Sequence, residues 1–134
     1  MKTITFLSAV FLTFLMLSSC TTDSDASSTA IEPKTINEEE FNKLAKDSNT
    51  VIIDVRTPGE VSEGYISGAT LFFDYNDANF ESNIEKLDKS KGYIVYCRSG
   101  GRSSKAAEIL TQKGIKKVYN LDGGISNWTG ELKH

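Results

Sequence analysis

The chain reads as an α/β protein: a five-stranded, mainly parallel sheet with helices on both faces. Three observations predict this. Short runs rich in β-branched and aromatic residues recur at 34–36, 51–55, 69–73, 93–96 and 118–121. Helix-like stretches separate them, which is the pattern of a parallel sheet covered on two sides. The runs at 51–55 and 93–96 are almost wholly apolar rather than alternating, as strands buried on both faces are.

Each element has a local reason. Asn37, with Glu40 three residues on, forms a capping-box signature and predicts a helix over 38–46, with Phe41, Leu44 and Ala45 inward. Thr57-Pro58-Gly59-Glu60 starts a short helical turn after the second strand. Residues 79–87 read as a helix. Residues 102–113 read as another, with Ala106, Ala107, Ile109 and Leu110 available for packing and Gly114 as its stop. Gly123-Gly124 turns the chain into a last helix holding Trp128, which is expected to pack in the core. Asp122 is expected to cap that turn, and Lys116-Lys117 to be solvated surface. Arg56 is expected to pair with a carboxylate and hold the turn after the second strand, Asp54 and Glu60 being nearby.

Composition bounds the function. A formal net charge of -3 gives nucleic-acid binding no support. The one histidine, His134, leaves no room for a histidine-based triad or a histidine-rich metal site. No metal and no cofactor is expected. The two cysteines, Cys20 and Cys97, lie in contexts too different to read as a disulfide pair.

The N-terminus reads as a targeting segment. Met1-Lys2-Thr3 carries a positive charge, and residues 4–17 form an uncharged apolar run, short for a membrane span. Leu17-Ser18-Ser19-Cys20 then resembles the lipobox of bacterial lipoproteins. That resemblance implies cleavage before Cys20 and acylation of it. The expected organisation is a signal peptide at 1–19, a lipidated Cys20 with a Ser/Thr/Asp-rich tether over 20–32, and a folded domain at 33–134. The expected location is the bacterial cell envelope, outside the cytoplasm (periplasmic or outer surface), lipid-anchored to a membrane.

Most of the chemistry is written in Cys97-Arg98-Ser99-Gly100-Gly101-Arg102-Ser103. A thiol at the carboxyl end of a parallel strand sits where such sheets place their sites. The glycines let the loop curl so that N–H groups can point inward. The following helix presents its positive end, and Arg98 and Arg102 add full charges. Each favours thiolate over thiol, and each would hold an anionic substrate group. An ionised thiol needs no histidine base.

With these residues the chain resembles the rhodanese family. Ile53-Asp54-Val55-Arg56, Glu60 and Gly64-Tyr65-Ile66-Ser67-Gly68-Ala69 resemble its first signature, and residues 97–103 its active-site loop. Val118, Leu121, Gly123, Gly124 and Trp128 resemble its C-terminal signature. Two departures stand out: Tyr65, where many relatives carry histidine, and the bare Gly101 in the loop. Phosphatases of related fold place five residues between cysteine and arginine. Here four separate Cys97 from Arg102, a tighter cradle that suits sulfur better than a phosphoryl group.

The resemblance implies a rhodanese-like fold and thiosulfate-type sulfurtransferase activity. Cys97 would be the nucleophile, carrying sulfane sulfur as a persulfide from a small anionic donor to a thiol or cyanide acceptor. Arg98, Ser99, Gly100, Gly101, Arg102 and Ser103 would bind the substrate and stabilise the persulfide. The alternatives are a non-catalytic binding module and a sulfur carrier that hands sulfur to a partner protein.

Overall fold

The computed structural model describes residues 30–134. The expected signal segment, Cys20 and the tether up to residue 29 lie outside the described residues. The elements are β1 (Lys34–Ile36), α1 (Glu38–Leu44), β2 (Thr50–Asp54), α2 (Pro58–Ser62), β3 (Tyr65–Ile66) and β4 (Ala69–Phe72). They continue with α3 (Phe80–Glu85), β5 (Gly92–Tyr96), α4 (Gly101–Gln112), β6 (Lys117–Leu121), a 3-10 turn (Gly124–Asn127) and β7 (Leu132–Lys133).

Five strands form the expected sheet in the order β1-β6-β5-β2-β4. Every pairing in it is parallel, so the sheet is wholly rather than mainly so. β5 lies at its centre, buried along its whole length. Its side chains alternate between two layers, as strand geometry requires. Tyr93, Val95 and, just beyond the strand, Cys97 enter the layer that holds Phe80 and Ile84 of α3 and Ala106, Ala107 and Leu110 of α4. Ile94 and Tyr96 enter the opposite layer with Phe41 of α1, Ile36 and Leu121. The expected coverage of both faces follows. This alternation also aims the Cys97 thiol at the start of α4.

Local chemistry sets the helix starts. Asn37 Oδ1 accepts the Glu40 N–H at 2.9 Å, and Glu40 returns the contact to the Asn37 N–H at 3.3 Å. Thr57 and Glu60 build the same box at α2. The first helix is shorter than expected, ending at Leu44. Ala45 remains helical in φ and ψ, so the difference in length is one of fraying, but its side chain is exposed rather than inward.

The turn after β2 is clamped as the sequence suggested. Arg56 is 6% exposed and Asp54 is 0% exposed. The guanidinium reaches Asp54 at 2.7 Å, and also donates to the carbonyls of Gly64 at 2.8 Å and Glu60 at 3.2 Å. A buried charge pair is tolerable only when its remaining donors are satisfied, as these are. On the far side, the Tyr96 hydroxyl accepts the Ile66 N–H at 3.0 Å, tying β3 to the central strand.

Two expectations are corrected here, and one strand pairing is new. The last helix is a single 3-10 turn, and Trp128 lies just past it in extended backbone. Gly123 and Gly124 both have positive φ, so the chain cannot enter an α-helix there. Trp128 instead packs edge-on to Phe41 at 4.7 Å, half-buried against the core rather than within it. Asp122 is exposed and its side chain makes no capping hydrogen bond among the described residues; its N–H bonds the Ile36 carbonyl instead. Finally, β3 and β7 form a small antiparallel pair that the sequence did not suggest. Two-residue strands are too short to show a period.

Candidate active site

The loop after β5 wraps around one sulfur atom. Cys97 is 1% exposed. Its Sγ accepts the Gly100 N–H at 3.1 Å and lies 3.4 Å from the Ser103 hydroxyl. That hydroxyl is also 3.2 Å from the Gly100 carbonyl. Burial pushes the Cys97 thiol up. The Ser103 hydroxyl and the N–H groups of Ser103, Gly100 and Ser99 push it down, and together they prevail. The net effect is a thiol more acidic than an ordinary cysteine, the state a nucleophile needs.

The backbone reasons are specific. Gly100 has φ +104 and precedes α4, a conformation that a residue with a Cβ rarely adopts. It directs its N–H back at the sulfur. The loop's carbonyls are held away from it: Ile125 N–H donates to the Cys97 carbonyl at 2.9 Å, and Ser126 N–H to the Arg98 carbonyl at 3.0 Å. The 3-10 turn thus serves as a bracket for the loop. It can come this close only because Gly124 lacks a side chain; a Cβ there would collide with the carbonyl oxygens of Cys97 and Arg98.

The family model of the rhodanese-like domain matches residues 37–131. The chain belongs to the rhodanese-like domain family. The protein named sulfurtransferase in Allochromatium vinosum is 34% identical over 86 residues, which is 64% of this chain and 78% of that one. The tRNA uridine(34) hydroxylase of Pelagibacter ubique is 35% identical over 103 residues, 77% of this chain. The match takes in only 33% of that protein, so the present chain spans about a third of its length. Among solved structures, a rhodanese-like domain protein from Staphylococcus aureus superposes with a TM-score of 0.64 at 34% identity, covering 75% of this chain and 96% of that one.

In this rhodanese-like domain the two loop arginines have different surroundings. Arg98 is exposed, and its guanidinium makes no hydrogen bond or ion pair among the described residues. Arg102 is gripped by Glu60: Nη1 and Nη2 donate to the two carboxylate oxygens at 2.8 Å each. Glu60 also accepts the Thr57 N–H and hydroxyl, both at 3.0 Å. The carboxylate that caps α2 therefore fixes a cation of the active loop. Ser99 and Gly101 lie at the mouth, where a Cβ on Gly101 would meet nothing within 4 Å.

The fold thus brings Gly100 and Ser103 to the Cys97 sulfur and fixes Arg102 against Glu60, while Arg98, Ser99 and Gly101 are exposed. Sequence reasoning missed the partnership of Glu60 with Arg102. The readable signal was the capping box, which places the Glu60 carboxylate at the start of α2, but not what lies across from it. Tyr65 packs edge-on to Phe72 at 5.0 Å and serves β3.

The pH dependence of this bridge has a definite sign. The Arg102 guanidinium lowers Glu60 from 4.5 to about 2, against an opposing push from burial. A carboxylate lowered in the folded state stabilises fully above its unfolded value. It loses that contribution as pH falls from there towards the folded value. At pH 7 the wild type is therefore expected to exceed Glu60→Gln by about 1 kcal/mol in urea unfolding, the pair being partly exposed. The gap should narrow below about pH 4.5 and be nearly gone by about pH 2. A gap constant across that range would contradict this reading.

Proposed function

We propose that this protein is a sulfurtransferase moving sulfane sulfur from thiosulfate, or a similar anionic donor, to a thiophilic acceptor through a Cys97 persulfide. The observation that carries the reading is the ring of donors around Cys97 Sγ, with the Gly100 N–H at 3.1 Å and the Ser103 hydroxyl at 3.4 Å. Donors placed to stabilise a thiolate would serve the terminal sulfur anion of a persulfide as well. The Cys97 thiolate attacks the outer sulfur of thiosulfate. The sulfur–sulfur bond breaks, and sulfite leaves with its electron pair. Cyanide or a thiolate then takes the outer sulfur, and Cys97 returns as thiolate. No proton transfer is required in the cyanide reaction, which fits a site without histidine.

Arg98, exposed and unpaired, would meet the sulfonate oxygens of the donor. Arg102, fixed by Glu60, would supply a positive charge from the side. The names of the relatives, a sulfurtransferase above all, support this reading. Cys97 has no second cysteine among the described residues to accept its sulfur, which favours carriage to a protein partner as a second reading.

Incubation with thiosulfate should add one sulfur to the Cys97 peptide by mass spectrometry, and cyanide should release it as thiocyanate. Cys97→Ser should show neither. No adduct on the wild type, or equal thiocyanate from Cys97→Ser, would refute the enzyme reading; an adduct that cyanide leaves in place would favour the carrier.

The proposal extends to location. The positive start, the uncharged apolar run and Leu17-Ser18-Ser19-Cys20 support a lipid anchor at Cys20 in the bacterial cell envelope. Labelling of the producing cells with a tagged fatty acid should mark the wild type and leave Cys20→Ser unmarked. Equal labelling of the two would argue against acylation at Cys20.

A further inference from the structure

A concavity opens on the sheet edge that carries Cys97. It is a groove of about 260 Å³ lined by Arg56, Pro58, Val61, Ser62, Phe72 and Asp74. It lies at the carboxyl ends of β2 and β4, the same edge of the sheet as Cys97. β2 pairs directly with β5, and the Val55 N–H bonds the Tyr96 carbonyl at 3.0 Å. The Asp74 carboxylate is close enough to strengthen the hold of Arg102 on its proton.

The groove's chemistry is lopsided. Pro58, Val61 and Phe72 make its apolar wall, and Phe72 is 42% exposed, one of the few large apolar side chains left in solvent. The charge of Arg56 is consumed by Asp54, and that of Arg102 by Glu60. Asp74 is left over. Its carboxylate accepts the Asn76 N–H at 2.9 Å and enters no ion pair among the described residues. The groove thus offers apolar surface beside one carboxylate that is in no ion pair among the described residues. That repels thiosulfate and suits a cation with an apolar neighbour.

We propose that this groove receives the sulfur acceptor: a cysteine-bearing segment of a partner protein with an apolar side chain next to a lysine or arginine. Two observations select a protruding segment. Cys97 is almost fully buried, so an acceptor thiol must reach into the loop. No second cysteine among the described residues can relay the sulfur outward. The acceptor thiolate attacks the outer sulfur of the Cys97 persulfide. The persulfide S–S bond breaks, Cys97 leaves as thiolate, and the acceptor carries the persulfide. This inference rests on the persulfide reading above.

The test uses blocked leucine-cysteine-lysine and leucine-cysteine-glutamate peptides as acceptors for protein preloaded with thiosulfate. At low salt the lysine peptide should take sulfur about tenfold faster. Asp74→Asn should shrink that preference to about twofold or less. Phe72→Ala should slow transfer to the lysine peptide several-fold while leaving thiosulfate loading within about twofold of wild type. Serine versions of both peptides, titrated against the unloaded protein by NMR, read the groove without any sulfur chemistry. The lysine form should shift Val61, Phe72 and Asp74. Equal transfer to both peptides, or shifts confined to other surfaces, would overturn the proposal. If no persulfide forms at all, the functional reading fails and the NMR titration alone decides the groove.

Discussion

Burial and hydrogen bonding pull the Cys97 thiol in opposite directions, and the loop after β5 is built so that hydrogen bonding prevails. A cysteine that is 1% exposed would ordinarily stay protonated and inert. Here the Gly100 N–H and the Ser103 hydroxyl reach it, and the nearby Ser99 and Ser103 N–H groups push its pKa the same way. Those donors come from one short loop, so the loop must hold a curvature that an ordinary chain would not. Gly100 supplies the left-handed residue, and α4 begins at once behind it, fixing Ser103 one turn in.

Curvature alone would leave the loop free to relax, and two brackets prevent this. The 3-10 turn binds the carbonyls of Cys97 and Arg98 from one side, so the loop's acceptors face away from the sulfur. Glu60 grips Arg102 from the other, and Glu60 is itself fixed as the cap of α2. Beneath α2, the Asp54–Arg56 pair joins the end of β2 to the Gly64 carbonyl. The result is a preorganised anion site built largely from backbone, supported by side chains whose charges cancel in pairs. What remains without an ion pair among the described residues is Arg98 at the rim, and beyond it Asp74.

Much of this was legible in the sequence, for physical reasons that differ by element. The strands of the main sheet announced themselves because buried parallel strands need runs of apolar residues. The loop after β5 was legible because its glycines, arginines and thiol are contiguous, so local chemistry suffices. The Arg56 clamp was within reach of Asp54, two residues away. The Glu60–Arg102 bridge was not, since its members are 42 residues apart and meet only through the sheet. The β3–β7 pair was too short to show a pattern. The final turn was misjudged because two adjacent positive-φ glycines forbid the α-helix that the flanking residues would otherwise permit.

The central claim is that loop donors outweigh burial at Cys97. Its most direct test is the ultraviolet thiolate absorbance as a function of pH, with Cys97→Ser subtracted to remove other thiols. The Cys97 thiolate should appear at lower pH than an ordinary cysteine, whose value is about 8.5. Ser103→Ala should move its appearance upward by removing the hydroxyl. A wild-type thiol that ionises at or above the ordinary value would contradict the account.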